Sequence, residues 1–282
     1  MSRLAVVVLL SVASLARAGE APAKADPKVV RTAVIGGMVM TGLWPEIAKM
    51  FQADTGLKVE VVASGPRPVI SEAFREGKAD LLTMHSGDIT TDLVADGYGV
   101  RMRPWTRNDL VIVGPEADPA KIGGLKDGAE ALRRIAQAQA PFLDFQGIGT
   151  REMSHKMWRK AGVEPKGEWV LKDESKGHLD ALGFARKRGA YVVVGRAPVL
   201  FGKLKAEGMK ILVEGDPDMR RPYVVMEASP KRFPDANHAG ARALADFLLS
   251  AKVQRFLATF GADDHGGIPL FHPVAAPAAD AQ

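Results

Sequence analysis

The sequence predicts an α/β protein with two lobes, in which mixed, mainly parallel sheets are flanked by helices. Strands alternate with helices of about ten or more residues along the chain, as they do in βαβ units. The runs LVIV at 110–113 and YVVV at 191–194 are apolar throughout, which is typical of strands covered on both faces. The length of 282 residues leaves room for two such units.

Periodicity places the elements of the first half of the chain. Val29–Ile35 is a β-branched run and predicts a strand. From Leu43 to Phe51 apolar residues recur at helical spacing, and Gly56 is expected to end this helix. Further strands are predicted at Lys58–Ala63, Asp80–Met84 and Leu110–Val113, and further helices at Val69–Arg75 and Asp88–Ala95, the last capped by Asp88.

The second half of the chain repeats the pattern. Helices are predicted at Ala129–Ala138, Arg151–Lys160, Leu179–Arg188, Pro198–Ala206, Ala239–Leu249 and Val253–Phe260. Strands are predicted near Phe142 and at Tyr191–Val194, Lys210–Val213 and Tyr223–Met226.

Two α/β units need a boundary, and two segments are candidates for it. Asn108–Gly114 and Arg221–Met226 each contain a strand close to a proline or a glycine. If the chain crosses between the lobes at both places, each crossing is one strand of a hinge. We then expect residues 29–110 and 224–273 in lobe 1 and residues 111–223 in lobe 2.

Composition restricts the class of function. Hydrophobic residues make up 46% and charged residues 25%, which is ordinary for a soluble globular protein. The absence of cysteine excludes a disulfide scaffold, a thiolate metal site and a cysteine nucleophile. The formal net charge of +5 is not concentrated in one stripe, and no nucleic-acid-binding motif is present, so we expect no nucleic-acid partner.

The first eighteen residues have the layout of a secretory signal peptide. Arg3 is followed by the largely apolar run Leu4–Leu15 and by the small-residue site Ala16-Arg17-Ala18. The alternative is a buried N-terminal helix or strand. Cleavage after Ala18 would leave 264 residues with a charge of +3, located in the periplasm. Residues 19–28 and 274–282 are rich in alanine and proline, and we expect them to be flexible.

Small residues follow several predicted strands where a helix is expected to begin. In an open α/β sheet such turns share the carboxyl edge, where ligands bind, and helix N-termini there favour anions. Any one of these small-residue segments could simply be a tight turn without a ligand. Several of them at the same edge favour a ligand cleft. The candidate ligand-binding residues are Gly36, Gly37, Met38, Ser64, Gly65, Arg67, His85, Ser86, Phe145, Gln146, Gly149, Thr150 and Arg151.

Some side chains allow two interpretations. The guanidinium group of Arg67 either donates two hydrogen bonds to an oxyanion or is exposed at the surface. His85 is a hydrogen-bond donor, a metal ligand or a structural histidine. Phe145, Trp105 and Trp158 stack on an organic ligand or fill a core. A Cu(I) site would use methionines near the turns, although core filling explains them better. These are Met38, Met40, Met84, Met102, Met153 and Met157.

Motifs of the common enzyme classes are missing from the sequence. It contains no G-x-S-x-G, no H-E-x-x-H and no Walker loop. His265 and His272 are seven residues apart, outside the usual ligand spacing on a helix. We therefore expect a protein that is not an enzyme and that holds no cofactor and no metal.

A family resemblance rests on RMRPWTRNDLVIVGPEADPAKI (101–122), GKADLLTMHSGDITTDLVADGYG (77–99), RIAQAQAPF (134–142), HKMWRKAGV (155–163), RGAYVVVGRA (188–197), ILVEGDPDMRRPY (211–223) and GGIPLFHP (266–273). In order and spacing over residues 29–273, the chain resembles the tungstate-binding proteins of ABC importers, which are bilobed periplasmic solute-binding proteins of type II. The resemblance implies two lobes, a two-stranded hinge and a ligand enclosed between the lobes. We also expect the permease of an ABC importer as partner, and a monomer.

The predicted pocket departs from the family pattern. The family's Thr/Ser run after the first strand matches Val34-Ile35-Gly36-Gly37, so its hydroxyl groups are missing. The Arg and Ser of its Gly-Thr loop match Phe145 and Ile148, while the Gly-Thr pair persists at 149–150. Each donor lost from a buried anion site costs about 1–3 kcal/mol, so we expect tungstate to bind poorly.

We therefore expect a periplasmic solute-binding protein that delivers an organic anion to an ABC importer. Arg67 and Arg151 would contact the charge of the ligand, and Met38 and Phe145 its apolar part. Two alternatives stay open. One is a tungstate- or molybdate-binding protein of an ABC importer, and the other is a periplasmic sensor or a carrier of a metal or cofactor.

Overall fold

The computed structural model describes residues 26–147, 149–175, 180–205 and 207–274. The predicted signal peptide, nearly all of the predicted C-terminal tail and Ile148 lie outside these residues. In the part of the chain that the structure describes, no helix is both long enough and apolar enough to cross a lipid bilayer.

Strands and helices alternate through the chain, as the sequence predicts. The first part contains β1 (Val29–Ile35), α1 (Gly36–Met40), α2 (Leu43–Thr55), β2 (Lys58–Gly65), α3 (Arg67–Arg75), β3 (Leu81–His85), α4 (Asp88–Ala95) and β4 (Gly99–Pro115). The middle part contains α5 (Gly128–Gln137), β5 (Phe142–Asp144), α6 (Thr150–Ala161), β6 (Val170–Lys172), α7 (Ala181–Lys187), β7 (Tyr191–Gly195), α8 (Arg196–Leu200) and β8 (Met209–Val213). The last part contains β9 (Arg220–Ala228), α9 (His238–Leu248), α10 (Ala251–Leu257) and β10 (His272–Pro273).

The strands form two mixed sheets that meet at β4, and each sheet defines a lobe. Lobe 1 has the strand order β2-β1-β3-β9-β4-β10, in which β1 is parallel to β2 and β3. Lobe 2 has the order β8-β4-β7-β5-β6, in which β5 is parallel to β6 and β7. All pairs that involve β4 or β9 are antiparallel.

Lobe 2 shows why its strands are apolar throughout. Along β7, Tyr191 and Val193 face one hydrophobic cluster, while Val192 and Val194 face another. The first cluster includes side chains of α5 and α6, and the second includes side chains of α7. Both faces of the sheet are therefore covered, so that neither face of the strand can carry polar residues. A third cluster forms the core of lobe 1 and includes Trp44 and Trp105.

Two strands carry the chain between the lobes. β4 pairs with β9 from Gly99 opposite Ala228 to Asp109 opposite Arg220, and the next residue of β4, Leu110, pairs with β7. The predicted two-stranded hinge therefore lies next to Asp109. The predicted boundaries at 110/111 and 223/224 stay predictions, because β4 and β9 run through them as continuous strands.

Several elements differ in detail from the predictions. The predicted strand Leu110–Val113 is confirmed as part of the longer β4, whose first part pairs with β9 and β10. α1 was not predicted, since GGMVM has no amphipathic period. Gly87 rather than Asp88 precedes α4, and the Thr90 hydroxyl accepts a hydrogen bond from the Gly87 N–H at 3.1 Å. The helix predicted at Pro198–Ala206 is the shorter α8.

Candidate functional site

A cleft of about 450 Å³ lies between the lobes beside the hinge. Three helices begin at its wall, with Gly36 in α1, Arg67 in α3 and Thr150 in α6. The first N–H groups of a helix have no partner within the helix, and the helix dipole is positive at this end. The backbone around the cleft therefore favours a negative charge.

Two buried arginines add full positive charges to the same cleft. Arg67 and Arg221 both line it, and their exposed fractions are only 9% and 8%. Burial and the charge of Arg67 lower the pKa of Arg221 to about 10, so Arg221 remains protonated at neutral pH. Burial also lowers the pKa of Arg67, against the opposing effect of Glu152 and Asp88. Two cations that face one cleft favour an anion there.

The position of Arg221 follows from the register of β9. Arg221 lies opposite Asn108 on β4, two residues before Tyr223, so both β9 side chains project from the same face of the strand. The guanidinium packs against Gly149, where an added Cβ would lie 2.1 Å from Cζ. Among the described residues, no atom accepts a hydrogen bond from Nη2 of Arg221, and none pairs with Oδ1 of Asn108.

His85 lies beside the two arginines at the end of β3. Its ring packs on Tyr223 with the centroids 4.2 Å apart. Burial, together with the charges of Arg221 and Arg67, holds the pKa of His85 well below 6.5. The imidazole is therefore neutral, and its buried Nδ1 has no hydrogen-bond partner in the described part of the chain. A neutral imidazole supplies one donor and one acceptor, but no charge.

Lobe 2 gives the cleft an apolar wall. Phe145 and Val194 line it together with Leu204, and Leu110 lines it from the hinge. Lys203 is the charged residue of lobe 2 that lines this wall. The cleft therefore has two buried cations, Arg67 and Arg221, on one side, and opposite them a wall that is apolar except for Lys203.

The structure places most of the predicted site residues around this cleft. Those that line it are Gly36, Gly37, Gly65, Arg67, His85, Phe145, Gln146 and Thr150. Gln146 sits at the exposed rim, where its amide donates to Asp144. Their roles in binding stay predictions.

Five predicted site residues do not line the cleft. Met38 is fully buried in the core of lobe 1, where its sulfur lies 3.9 Å from the Thr83 hydroxyl. Arg151 and Ser64 are exposed outside the cleft. Ser86 is tied to the hinge through the Pro222 carbonyl, and Gly149 lies beneath Arg221. Neither Met38 nor Arg151 is placed for the predicted contact with a ligand in this cleft, because one side chain fills the core and the other faces solvent.

The methionines and tryptophans are mostly core residues. Met84, Met153 and Met157 are buried in the two lobes, Met102 is exposed, and Met40 lines the cleft. They do not converge on one point, so they form no soft-metal site of the kind considered from the sequence. In the described residues, no group of three or more His, Asp or Glu side chains is placed to hold a metal ion. Trp105 is buried in the core of lobe 1, and Trp158 is buried in the core of lobe 2.

Sequence reasoning missed the hinge residues of the site. Arg221, Asn108 and Tyr223 line the cleft, although only the hinge position of their segments was predicted. The predicted strand began at Tyr223, so Arg221 fell outside it. Period-two alternation backwards from Tyr223 is the signal that would have placed Arg221 on the same face.

The comparisons with known proteins agree with this architecture. The model of the family described as bacterial extracellular solute-binding protein matches residues 32–263. A protein of Haloferax volcanii with a proposed anion-binding role in an ABC transporter is 33% identical over 240 residues, which cover 83% of this chain and 68% of that protein.

Two tungstate-binding proteins named TupA are also similar to this chain. The protein from Peptoclostridium acidaminophilum is 29% identical, with 97% of this chain and 98% of that protein covered. The solved structure from Desulfovibrio alaskensis G20 is 27% identical and superimposes with a TM-score of 0.71, with 88% of this chain and 99% of that chain covered.

Replacing Gly149 tests how tightly Arg221 is held. Gly149 has φ +83°, so alanine there pays the left-handed backbone cost of about 1–2 kcal/mol and also displaces the guanidinium. Gly124 is the matched control, because it has φ +85° and nothing within 4 Å of an added Cβ. We expect Gly149→Ala to lower the free energy of unfolding in urea more than Gly124→Ala does. In an Arg221→Ala background the two costs should become equal, and an excess that persists there would contradict this contact.

The neutral state of His85 predicts a pH dependence of stability. The unfolded chain binds a proton at His85 below about pH 6.5, whereas the native state does not, so stability is lost as the pH falls. His85→Gln removes this contribution. The stability difference between wild type and His85→Gln should therefore shrink from pH 8 to pH 5 in urea titrations, and a constant difference would refute a neutral His85.

Proposed function

The chain belongs to the bacterial extracellular solute-binding protein family, and on that premise we propose that it binds a small oxyanion of the tungstate and molybdate class for an ABC importer. The solute-binding role in ABC transport is that of the family, and its relatives are transport proteins rather than enzymes. The finer assignment, the oxyanion, is the alternative that the sequence left open. Relatives that carry the name tungstate-binding protein favour it over the organic anion.

The observation that carries the proposal is the pair of buried guanidinium groups. Arg67 and Arg221 line one cleft, at a place where three helices also direct their N-termini. A buried cation is costly unless an opposite charge approaches it. This chain lacks the hydroxyl groups of the family's Thr/Ser run. Arg221, which was not among the predicted site residues, supplies hydrogen-bond donors for an anion in their place.

A second candidate is the organic anion expected from the sequence. The apolar wall at Leu110, Phe145 and Val194 is the observation that favours it. A tetrahedral oxyanion makes little use of such a wall, whereas the carbon chain of an organic anion would bury against it at about 25 cal/mol per Å². The two candidates share the cationic side of the cleft and differ in what contacts the opposite side.

Binding would couple to closure of the lobes. The ligand enters the cleft, the lobes rotate about the hinge beside Asp109, and the closed form is presented to the permease of an ABC importer. We propose that the chain acts as a monomer in this cycle. No chemical step on the ligand is needed.

The proposed location is the periplasm, after removal of the first eighteen residues. The Arg3 start, the apolar run and the Ala16-Arg17-Ala18 site support this. In a bacterial host, intact mass and N-terminal sequencing of the periplasmic fraction should find a chain that begins at Gly19. A chain in that fraction that retains Met1 or Ser2 would contradict cleavage.

Isothermal titration tests the ligand class. We expect tungstate and molybdate to bind, and Arg67→Gln to weaken binding by about 1.5–3 kcal/mol, which is the range for a hydrogen bond to a charged group. Arg151→Gln is the matched control, because Arg151 is exposed to solvent and does not line the cleft. Strong binding of carboxylates together with no heat from either metal oxyanion would favour the organic anion instead.

A further inference from the structure

We propose that Lys203 couples the charge of a bound anion to closure of the lobes. It contacts the anion from lobe 2, and in the empty cleft it is repelled by the arginines on the other side. The inference rests on the proposed function, and its basis is the distribution of charge around the cleft.

The charged side chains that line the cleft are all cations in the part of the chain that the structure describes. Arg67 of α3 lies on the lobe 1 side, Arg221 of β9 lies beside the hinge, and Lys203 lies on the lobe 2 side. Glu152 acts on both arginines and Asp88 acts on Arg67, but both carboxylates are exposed to solvent and neither lines the cleft. An anion that enters the cleft is therefore within the field of cations on both of its sides.

Lys203 differs from the two arginines in its surroundings. It is exposed, and within the described residues no hydrogen bond or ion pair involves it, whereas Arg67 and Arg221 are only 9% and 8% exposed. Lysine carries a compact charge with three donors on a flexible stem of four carbons. Its ammonium group can therefore move towards an anion after that anion has reached the arginines.

The backbone at Lys203 is fixed to lobe 2. The next residue, Leu204, is buried in a core cluster of this lobe, and its N–H donates to the Pro198 carbonyl at 2.8 Å. The N–H of Gly202 donates to the Val199 carbonyl at 3.1 Å, and both bonds tie the segment to α8. An attraction that acts on the ammonium group of Lys203 is therefore transmitted to lobe 2.

Closure of the empty cleft would bring Lys203 towards the arginines. Like charges repel, and this repulsion grows as the water between them is displaced, because the effective dielectric constant falls. A bound anion reverses the sign, because it attracts Lys203 on one side and Arg221 on the other, most strongly when the lobes are closest. A ligand shifts a conformational equilibrium only by its differential affinity for the two states, and Lys203 supplies such a difference.

The start of α6 is a second part of lobe 2 that faces the cleft. Gly147 and Thr150 line it there, and a helix N-terminus carries a partial charge of about half a unit. Contacts of the anion with this end also favour closure. Removing the charge of Lys203 should therefore reduce the closure that an anion causes, rather than abolish it.

Isothermal titration and small-angle X-ray scattering test the proposal, with tungstate as the probe. Wild type should contract when tungstate saturates it. Lys203→Gln should bind tungstate about 10-fold more weakly, the lower end of the range for a hydrogen bond to a charged group, and should contract less at saturation. Lys205→Gln is the matched control, because Lys205 is an exposed lysine of the same segment that does not line the cleft. It should keep the affinity and the contraction of wild type.

Two results of this comparison would overturn the role of Lys203 while leaving the proposed function intact. One is tungstate binding that does not make wild type contract. The other is a Lys203→Gln variant whose affinity, or whose contraction at saturation, equals that of wild type. Thermal unfolding checks that each variant is folded, which we expect because both lysines are exposed.

Reversing the charge tests the repulsion without any ligand. Lys203→Glu places a carboxylate across the cleft from Arg67 and Arg221, so the radius of gyration without tungstate should fall towards that of saturated wild type. Lys205→Glu is the control and should keep the radius of wild type. Equal radii of Lys203→Glu and Lys205→Glu would overturn the proposal.

Failure of the proposed function gives a different result. If wild type binds neither tungstate nor molybdate, the oxyanion assignment is wrong. The charge reversal needs no ligand and still decides the matter: contraction of Lys203→Glu, but not of Lys205→Glu, supports electrostatic control of closure by Lys203, whereas equal radii overturn it.

Discussion

The structure depends on the antiparallel ladder between β4 and β9. This ladder begins deep in lobe 1, at Gly99 opposite Ala228, and ends at Asp109 opposite Arg220, where β4 continues into the sheet of lobe 2. Asp109 closes this end, because its carboxylate accepts from Nε of Arg220 at 3.3 Å and lies 2.7 Å from Nε2 of His272. The same register that joins the lobes also sets Arg221 opposite Asn108 and aims both at the cleft.

Because the ladder buries Arg221 and no described residue accepts from its Nη2, the charge of Arg221 is electrostatically unfavourable. A buried ion keeps a desolvation cost of several kcal/mol unless a partner offsets it. The pKa of Arg221 is lowered only to about 10, so deprotonation does not relieve the cost at neutral pH. An anion bound as proposed would relieve this cost, so that part of the binding free energy would already be present in the fold before the ligand arrives. The same argument explains why His85 remains neutral beside the two arginines.

Patterns that depend on neighbours in the sequence were predictable, whereas contacts between distant segments were not. The LVIV and YVVV runs predicted strands buried on both faces, and the two clusters on either side of β7 confirm it. The turns after β1, β2 and β3 predicted a cleft at Gly36, Gly65 and His85. Met38 lies in the core of lobe 1, because a residue next to a turn can face inward. Arg221 was missed because the predicted strand began at Tyr223.

The C-terminal segment ties the lobes together on the side of the hinge and so constrains how the cleft can close. Arg196 begins α8 in lobe 2 and donates to the backbone carbonyls of His265, Ile268 and Pro269, which lie just before Phe271 in the core of lobe 1. Gly195, the residue before Arg196, pairs with Leu110 immediately after the hinge. A rotation that preserves these hydrogen bonds has to pivot close to them, so the far rims of the cleft move most. Arg221 follows Arg220, which lies opposite Asp109 at the hinge, so its position would change little in such a rotation.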